Sequence, residues 1–315
     1  MGEDEPLLPR RPVSSALSGS LERQLLLISI AYLSTIGVSG LVLSAIGTNL
    51  EDIAIRIGAH ATDLGGQAFM VKGIGSILAA PATVPLYENF NGDVLLFIGL
   101  ICIAVVLLLL PSTQSSSQLY LYFFLLGFFA AMNDTGCNIL ARKKHGKKAG
   151  PWLAANGIAF GSSAAIVPIV DMLSSEFFIQ NLILGGIVIS VAFYLLCASY
   201  LTHLNEHEKL ELREVELELT INLEDQKVVD EIAPHHNVEV VIGIMVFCLC
   251  GIQVTTASYI MTYLEQTKVV SSKYKNSIPL LFWIFWSIGR IVGVFCQVSA
   301  DILTSSSRTD HIIEK

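Results

Sequence analysis

One acid, Asp134, stands inside the apolar run GFFAAMNDTGCNILA that covers residues 127–141. A lone carboxylate within hydrocarbon is costly and normally faces a cavity or a bundle interior. Asn138 follows four residues later and shares its helical face, whereas Asn133 does not. Amides and carboxylates offer the paired donors and acceptors that hydroxyl-bearing solutes need. A carboxylate can also serve as a coupling group, because a proton or Na⁺ neutralises its charge. The competing reading is a structural pair between helices. Lys72 lies well inside a second apolar run, too deep for an unstrained reach to the membrane edge. Pairing with Asp134 across a bundle would satisfy it. Arg290 holds the mirrored place in the last apolar run. Gln67, Asn156 and Gln253 either line a solute path or bond between helices. Gly157 and Gly161, and likewise Gly289 and Gly293, stand four apart, the spacing that lets helices approach closely. Such contacts serve rocking or static packing.

These groups need membrane-spanning helices to hold them. The composition is 53% hydrophobic and 15% charged, with a mean hydropathy of +0.62. A soluble domain carries roughly a quarter charged residues. An apolar run of about 20 residues crosses a bilayer. Eight such runs are expected, at 25–47, 64–87, 94–110, 119–141, 151–173, 177–201, 238–264 and 277–298. The net charge of −8 reflects solvated segments, since the acids gather in the N-terminal tail and in residues 203–237. It does not point to nucleic acid. The six cysteines fall in apolar runs without metal-ligand spacing and read as small buried residues. His203, His207, His235 and His236 read as solvated loop histidines rather than metal ligands. No phosphate-binding glycine loop, Ser-His-Asp set or zinc signature occurs, so no metal, cofactor or enzymatic activity is expected.

The connectors set the expected orientation. Arg10, Arg11 and Arg23 precede the first run, and Arg142, Lys143, Lys144, His145, Lys147 and Lys148 fill the fourth connector. Connectors 111–118 and 174–176 contain no Lys or Arg, and the first of their set has only Arg56. This asymmetry places the N-terminus in the cytosol. The connector with Lys268, Lys273 and Lys275 is the exception. The expected units are a cytosolic tail (1–24), a six-span bundle (25–202), an acidic, partly helical cytosolic linker (203–237), two further spans (238–299) and a cytosolic tail (300–315). A faint echo links Thr48-Asn49-Leu50-Glu51 to Thr262-Tyr263-Leu264-Glu265, in keeping with a transporter plan of two parallel repeats. Trp152 is expected as an interface anchor, and Trp283 and Trp286 as anchors or pore stackers. Residues 3–8, Glu-Asp-Glu-Pro-Leu-Leu, resemble an acidic dileucine sorting signal.

Six spans, a charged linker and more spans resemble the major facilitator superfamily. Asp134-Thr135-Gly136-Cys137-Asn138, Gly150-Pro151-Trp152-Leu153, Phe160-Gly161 and Pro168 resemble the fourth and fifth helices of its fucose-permease and sodium-dependent-glucose-transporter branch. Phe282-Trp283 with Gly289-Arg290 resembles that branch's eighth helix. Two departures stand beside these. Ala154 and Gly157 occupy places where the branch often has Gln and His, and 87–93 lacks the usual basic residues.

The resemblance implies an all-α transmembrane bundle, with the six-helix first half followed by the first two helices of the second. It further implies a secondary transporter of a sugar-like solute, a hexose among the candidates, coupled to Na⁺ or H⁺ with Asp134 in the coupling or sugar-binding role. Arg290 takes a structural or gating role. The family plan has twelve spans, so the chain reads as truncated; a non-transporting scaffold or receptor-like protein is the alternative. The expected location is the plasma membrane or an endosomal or lysosomal membrane.

Overall fold

The computed structural model describes residues 15–146, 149–174, 176–217, 236–271, 274 and 276–313. Among them are helices α1 (Ser15–Ile57), α2 (Ala61–Asn89), α3 (Gly92–Leu109), α4 (Ser116–His145), α5 (Gly150–Ala164), α6 (Ile166–Leu173), α7 (Phe177–Leu217), α8 (His236–Thr267) and α9 (Ser277–Ile313), with no strand. Seven helical segments are long and apolar enough to cross a membrane, and α8 carries a shorter apolar stretch, Gly243–Ala257. In hydrocarbon every backbone polar group must be satisfied within the segment, which makes the helix the available form.

Local chemistry sets the ends. The sequence suggests that α1 stops near residue 47, yet it runs on through Thr48, Asn49, Glu51 and Asp52 to Ile57. These polar residues do not break a helix. Gly58 does, at φ +72°, with its N–H donating to the Ile55 carbonyl and that of Ala59 to Ala54. Asn91 caps α3 by accepting from the N–H groups of Asp93 and Val94 at 3.0 and 3.4 Å. Four basic residues, Arg142 to His145, end α4, where the helix dipole favours positive charge. The expected fifth span divides into α5 and α6 at Ala165. Pro168 supplies no N–H to the Ala164 carbonyl, so the ladder breaks there. Helix α7 continues through Leu217 into the expected linker. Residues 3–8, Lys147, Lys148 and 218–235 lie outside the described residues.

Helix α2 packs on α4, α1 on α5 and α7, and α3 on α4 and α7. Helices α8 and α9 join through α1 and α5. The main core gathers Ile28, Leu41, Leu96, Leu100, Ile103, Leu107 and Phe123, all fully buried. A smaller cluster of Leu43, Ala164, Ala165, Ala257 and Trp283 joins the first helices to α8 and α9. Large side chains such as Leu173, Phe247, Phe285 and Phe295 point outward, as suits lipid contact.

Two polar ties hold opposite ends of the bundle. At the end carrying the basic residues of α4, Tyr32 and Ser199 donate to the two carboxylate oxygens of Asp93 at 2.8 and 2.7 Å, joining α1, α3 and α7. Lys143 also donates to the Tyr87 carbonyl at 3.2 Å. At the other end Arg56 donates to the Pro111 carbonyl at 2.9 Å and lies 5.1 Å over the Phe177 ring.

The α2–α4 crossing depends on glycine from both sides. A Cβ on Gly127 would lie 2.8 Å from the Lys72 carbonyl carbon, and one on Gly75 would lie 3.1 Å from the Phe128 nitrogen. Both neighbours are backbone and cannot swing aside. Close contact of this kind drives helix association in lipid. Gly127→Ala is expected to cost about 1–3 kcal/mol by overpacking. Gly73→Ala, with open space around its Cβ, is expected to leave stability unchanged. Thermal melts of the two purified variants against the parent chain check this.

Candidate functional site

A cavity of about 570 Å³ opens between α1, α2, α4, α5, α8 and α9. That volume falls in the range of small-molecule sites. Its wall is apolar where Ile36, Leu43 and Phe160 face it, and polar where Asp134, Asn138, Asn156, Lys72, Gln253 and Arg290 do.

Asp134 is held in place by a neighbouring helix. Ser39 of α1 donates to its Oδ1 at 2.7 Å. Asn138 donates from Nδ2 to the Asp134 carbonyl at 2.9 Å, which turns its own Oδ1 toward α5. There it accepts from Asn156 Nδ2 at 2.8 Å. One short run of polar side chains therefore ties α1, α4 and α5 at the cavity wall. Asn133 turns the opposite way, buried against Gly99 of α3.

Lys72 reaches the same cavity from α2, at the point where Gly127 lets α4 press on its backbone. The charges of Lys72 and Asp134 attract each other. The expected pairing is not formed at bonding distance: among the described residues no ion pair joins Lys72 to Asp134, though both line the cavity. Arg290 enters from α9, its guanidinium 4.9 Å over the Trp286 ring. Gly157 and Gly161 open the face of α5 to α9. A Cβ at 157 would meet Arg290 Cδ at 2.9 Å, and one at 161 would meet Trp286 Cδ1 at 2.8 Å. The two glycines set how closely the first six spans approach α9.

Two expected site residues lie elsewhere. Gln67 is exposed and accepts a hydrogen bond from the Tyr120 hydroxyl of α4, so it takes the interhelical role. Five residues before Lys72, it sits about 140° round the helix from it. Gly289 lines a neighbouring recess of about 460 Å³ beside Gln253 and Phe285. No atom comes within 4 Å of a Cβ at Gly289 or Gly293, so this pair makes no close helix contact among the described residues. The face of α9 turned to α5 carries Trp286, Ser287 and Arg290 instead.

The cysteines also differ from expectation. Cys137 is buried, but Cys197, Cys248 and Cys250 are exposed, because much of a span's surface faces lipid or cavity rather than core. Trp152 stacks on the His145 ring at 4.9 Å, and His145 Nε2 hydrogen-bonds Ser29 Oγ at 2.6 Å. Ser39, Ser76, Cys250 and Trp286 line the cavity without having been singled out as site residues. Of these only Trp286 carried a readable signal, as an expected anchor or pore stacker.

The two tryptophans of α9 give a test of the cavity. Trp283 is 1% exposed, whereas Trp286 lines the open space. In chains keeping one tryptophan each, aqueous acrylamide is expected to quench Trp286 several-fold more strongly than Trp283. Equal quenching would contradict the placement.

A family model for the Major Facilitator Superfamily matches residues 14–307. A search of curated proteins found no match. The all-helical bundle, its membrane-length apolar helices and this near full-length match agree. The chain belongs to the major facilitator superfamily of secondary transporters, as an integral multi-pass membrane protein that handles a small-molecule solute.

Proposed function

We propose that the chain carries a sugar-like, hydroxyl-rich solute by alternating access, with Asp134 as the group that couples solute movement to H⁺ or Na⁺. The observation that carries this reading is the run Ser39–Asp134–Asn138–Asn156 on the wall of the central cavity. Amides and a carboxylate on one wall suit hydroxyls, which donate and accept at once. Phe160 and Trp286 supply the apolar surface on which a sugar ring can rest. Asp134 has one oxygen engaged by Ser39 and lies within the field of Lys72. A proton or Na⁺ arriving at the carboxylate changes the charge of the whole wall, which links ion binding to solute binding.

The moving parts are the contacts of α5 with α9 and of α1 with α8. They join the first six spans to the pair that follows, and Gly157 and Gly161 leave room on α5 for Arg290, Trp286 and Ser287 of α9. Alternating access is largely a rocking of one such unit against another around a fixed site. The resemblance of 134–138 and 150–161 to fucose permeases and sodium-dependent glucose transporters supports a hexose-like solute. The basic residues at the end of α4 support a cytosolic position for that end and for the N-terminus.

Reconstituted chain in liposomes tests the reading through uptake of radiolabelled hexoses under imposed Na⁺ and pH gradients. Asp134→Asn is expected to abolish gradient-driven accumulation while leaving membrane insertion and downhill exchange in place. Accumulation equal to that of the parent chain would remove Asp134 from the coupling role.

A further inference from the structure

Charge on the cavity wall narrows the solute further. Among the described lining residues two are cations, Lys72 and Arg290, and one is an acid, Asp134. The acid's Oδ1 is already occupied by Ser39. Neither cation makes an ion pair at bonding distance with an acid among the described residues. Lys72 feels Asp134 only at longer range, and Arg290 rests on the Trp286 ring. A neutral sugar would bring hydroxyls to this wall but no opposing charge. Lys72 is half-buried and Arg290 is exposed toward the opening. A half-buried cation without a partner at bonding distance favours a ligand that completes the pairing, and an exposed guanidinium on the same cavity is free to receive the same anion.

We infer that the solute carries a carboxylate, as a hexuronate or a related sugar acid does, and that Lys72 and Arg290 receive it. The inference rests on the carrier reading above and names its substrate class. The guanidinium is a planar fork whose geometry matches a carboxylate. Contact with the Trp286 ring restrains that fork, so less freedom is lost when an anion docks. One negative charge on the solute, added to Asp134, balances the two cations. While Asp134 is ionised, a phosphate dianion would overshoot this balance. The cations also come from different sides of the cavity, Lys72 from α2 and Arg290 from α9. A carboxylate held by both would draw α9 toward the first six spans, so binding and closure would reinforce one another. The remaining hydroxyls of a sugar acid meet Asn138, Asn156 and Gln253 as before.

The test compares D-glucuronate with D-glucose, which share the ring and differ at the sixth carbon, on purified full-length chain in liposomes. Equilibrium binding of each radiolabelled compound is measured, and the ratio of the two affinities is the readout, because shared hydroxyl contacts cancel in it. Glucuronate is expected to bind about tenfold or more tightly than glucose. Lys72→Gln and Arg290→Gln are each expected to reduce that preference by about tenfold, with Arg290→Lys retaining part of it. Asp134→Asn, which removes a like charge, is expected to raise it. Membrane insertion and elution as a single species confirm that each variant folds.

Equal or tighter binding of glucose, or a preference unmoved by loss of either cation, overturns the inference. Tighter binding of glucose 6-phosphate than of glucuronate overturns the assignment to carboxylates. Accumulation of glucose without binding of glucuronate sinks this inference and leaves the carrier reading standing. Charge-dependent glucuronate binding without any exchange across the membrane does the reverse. Binding of neither sugar removes both.

Discussion

The interaction on which the site depends is the hydrogen bond from Ser39 to Asp134. A carboxylate within a bilayer needs partners, and those partners decide which way it faces. Ser39 draws it toward α1, and Asn138 and Asn156 extend the polar wall to α5. Lys72 adds a positive field from α2. These contacts bring four helices to one side of one cavity. The apolar core around Phe123, Leu100 and Ile103 is continuous with this wall, which it reaches at Ile36 and Ala130, so rigid packing backs the polar groups directly.

Glycine makes this arrangement possible in two places. At the α2–α4 crossing, Gly75 and Gly127 bring backbones together and thereby fix where Lys72 emerges. At the α5–α9 contact, Gly157 and Gly161 accept Arg290 and Trp286 instead of backbone. The first contact is backbone on backbone and has little room to adjust. The second is backbone on long side chains, which can change rotamer as the helices shift. That difference suits a stiff first bundle and a contact with α9 that adjusts. The Asp93 tie to Tyr32 and Ser199 stiffens the same bundle at its basic end.

Much of this was legible in the sequence, for identifiable physical reasons. Apolar runs of membrane length announce spans, and helical periodicity placed Asp134 and Asn138 on one face and Asn133 off it. Depth within a span marked Lys72 and Arg290, because charge so placed must be accommodated. What was hidden depended on three-dimensional context. Ser39 gave no signal, since span hydroxyls commonly bond back to their own helix, as Thr35 does to the Ala31 carbonyl. Gln67 and Gly289 carried the right chemistry on the wrong face of their helices. The polar residues after Gly47 looked like a helix end, but Gly58 sets that end through its backbone. Asp93 was not singled out in the connector 87–93, and its ties to α1 and α7 span long separations in sequence.

The claim beneath all of this is that the side chain at position 134 meets water within the bundle. Asp134→Cys in an otherwise cysteine-free chain measures it, through reaction with a small, charged, membrane-impermeant thiol reagent. The account predicts modification from the aqueous phase and slower modification when solute is bound. A thiol that reacts only with a lipid-soluble maleimide, or with neither reagent, would contradict it.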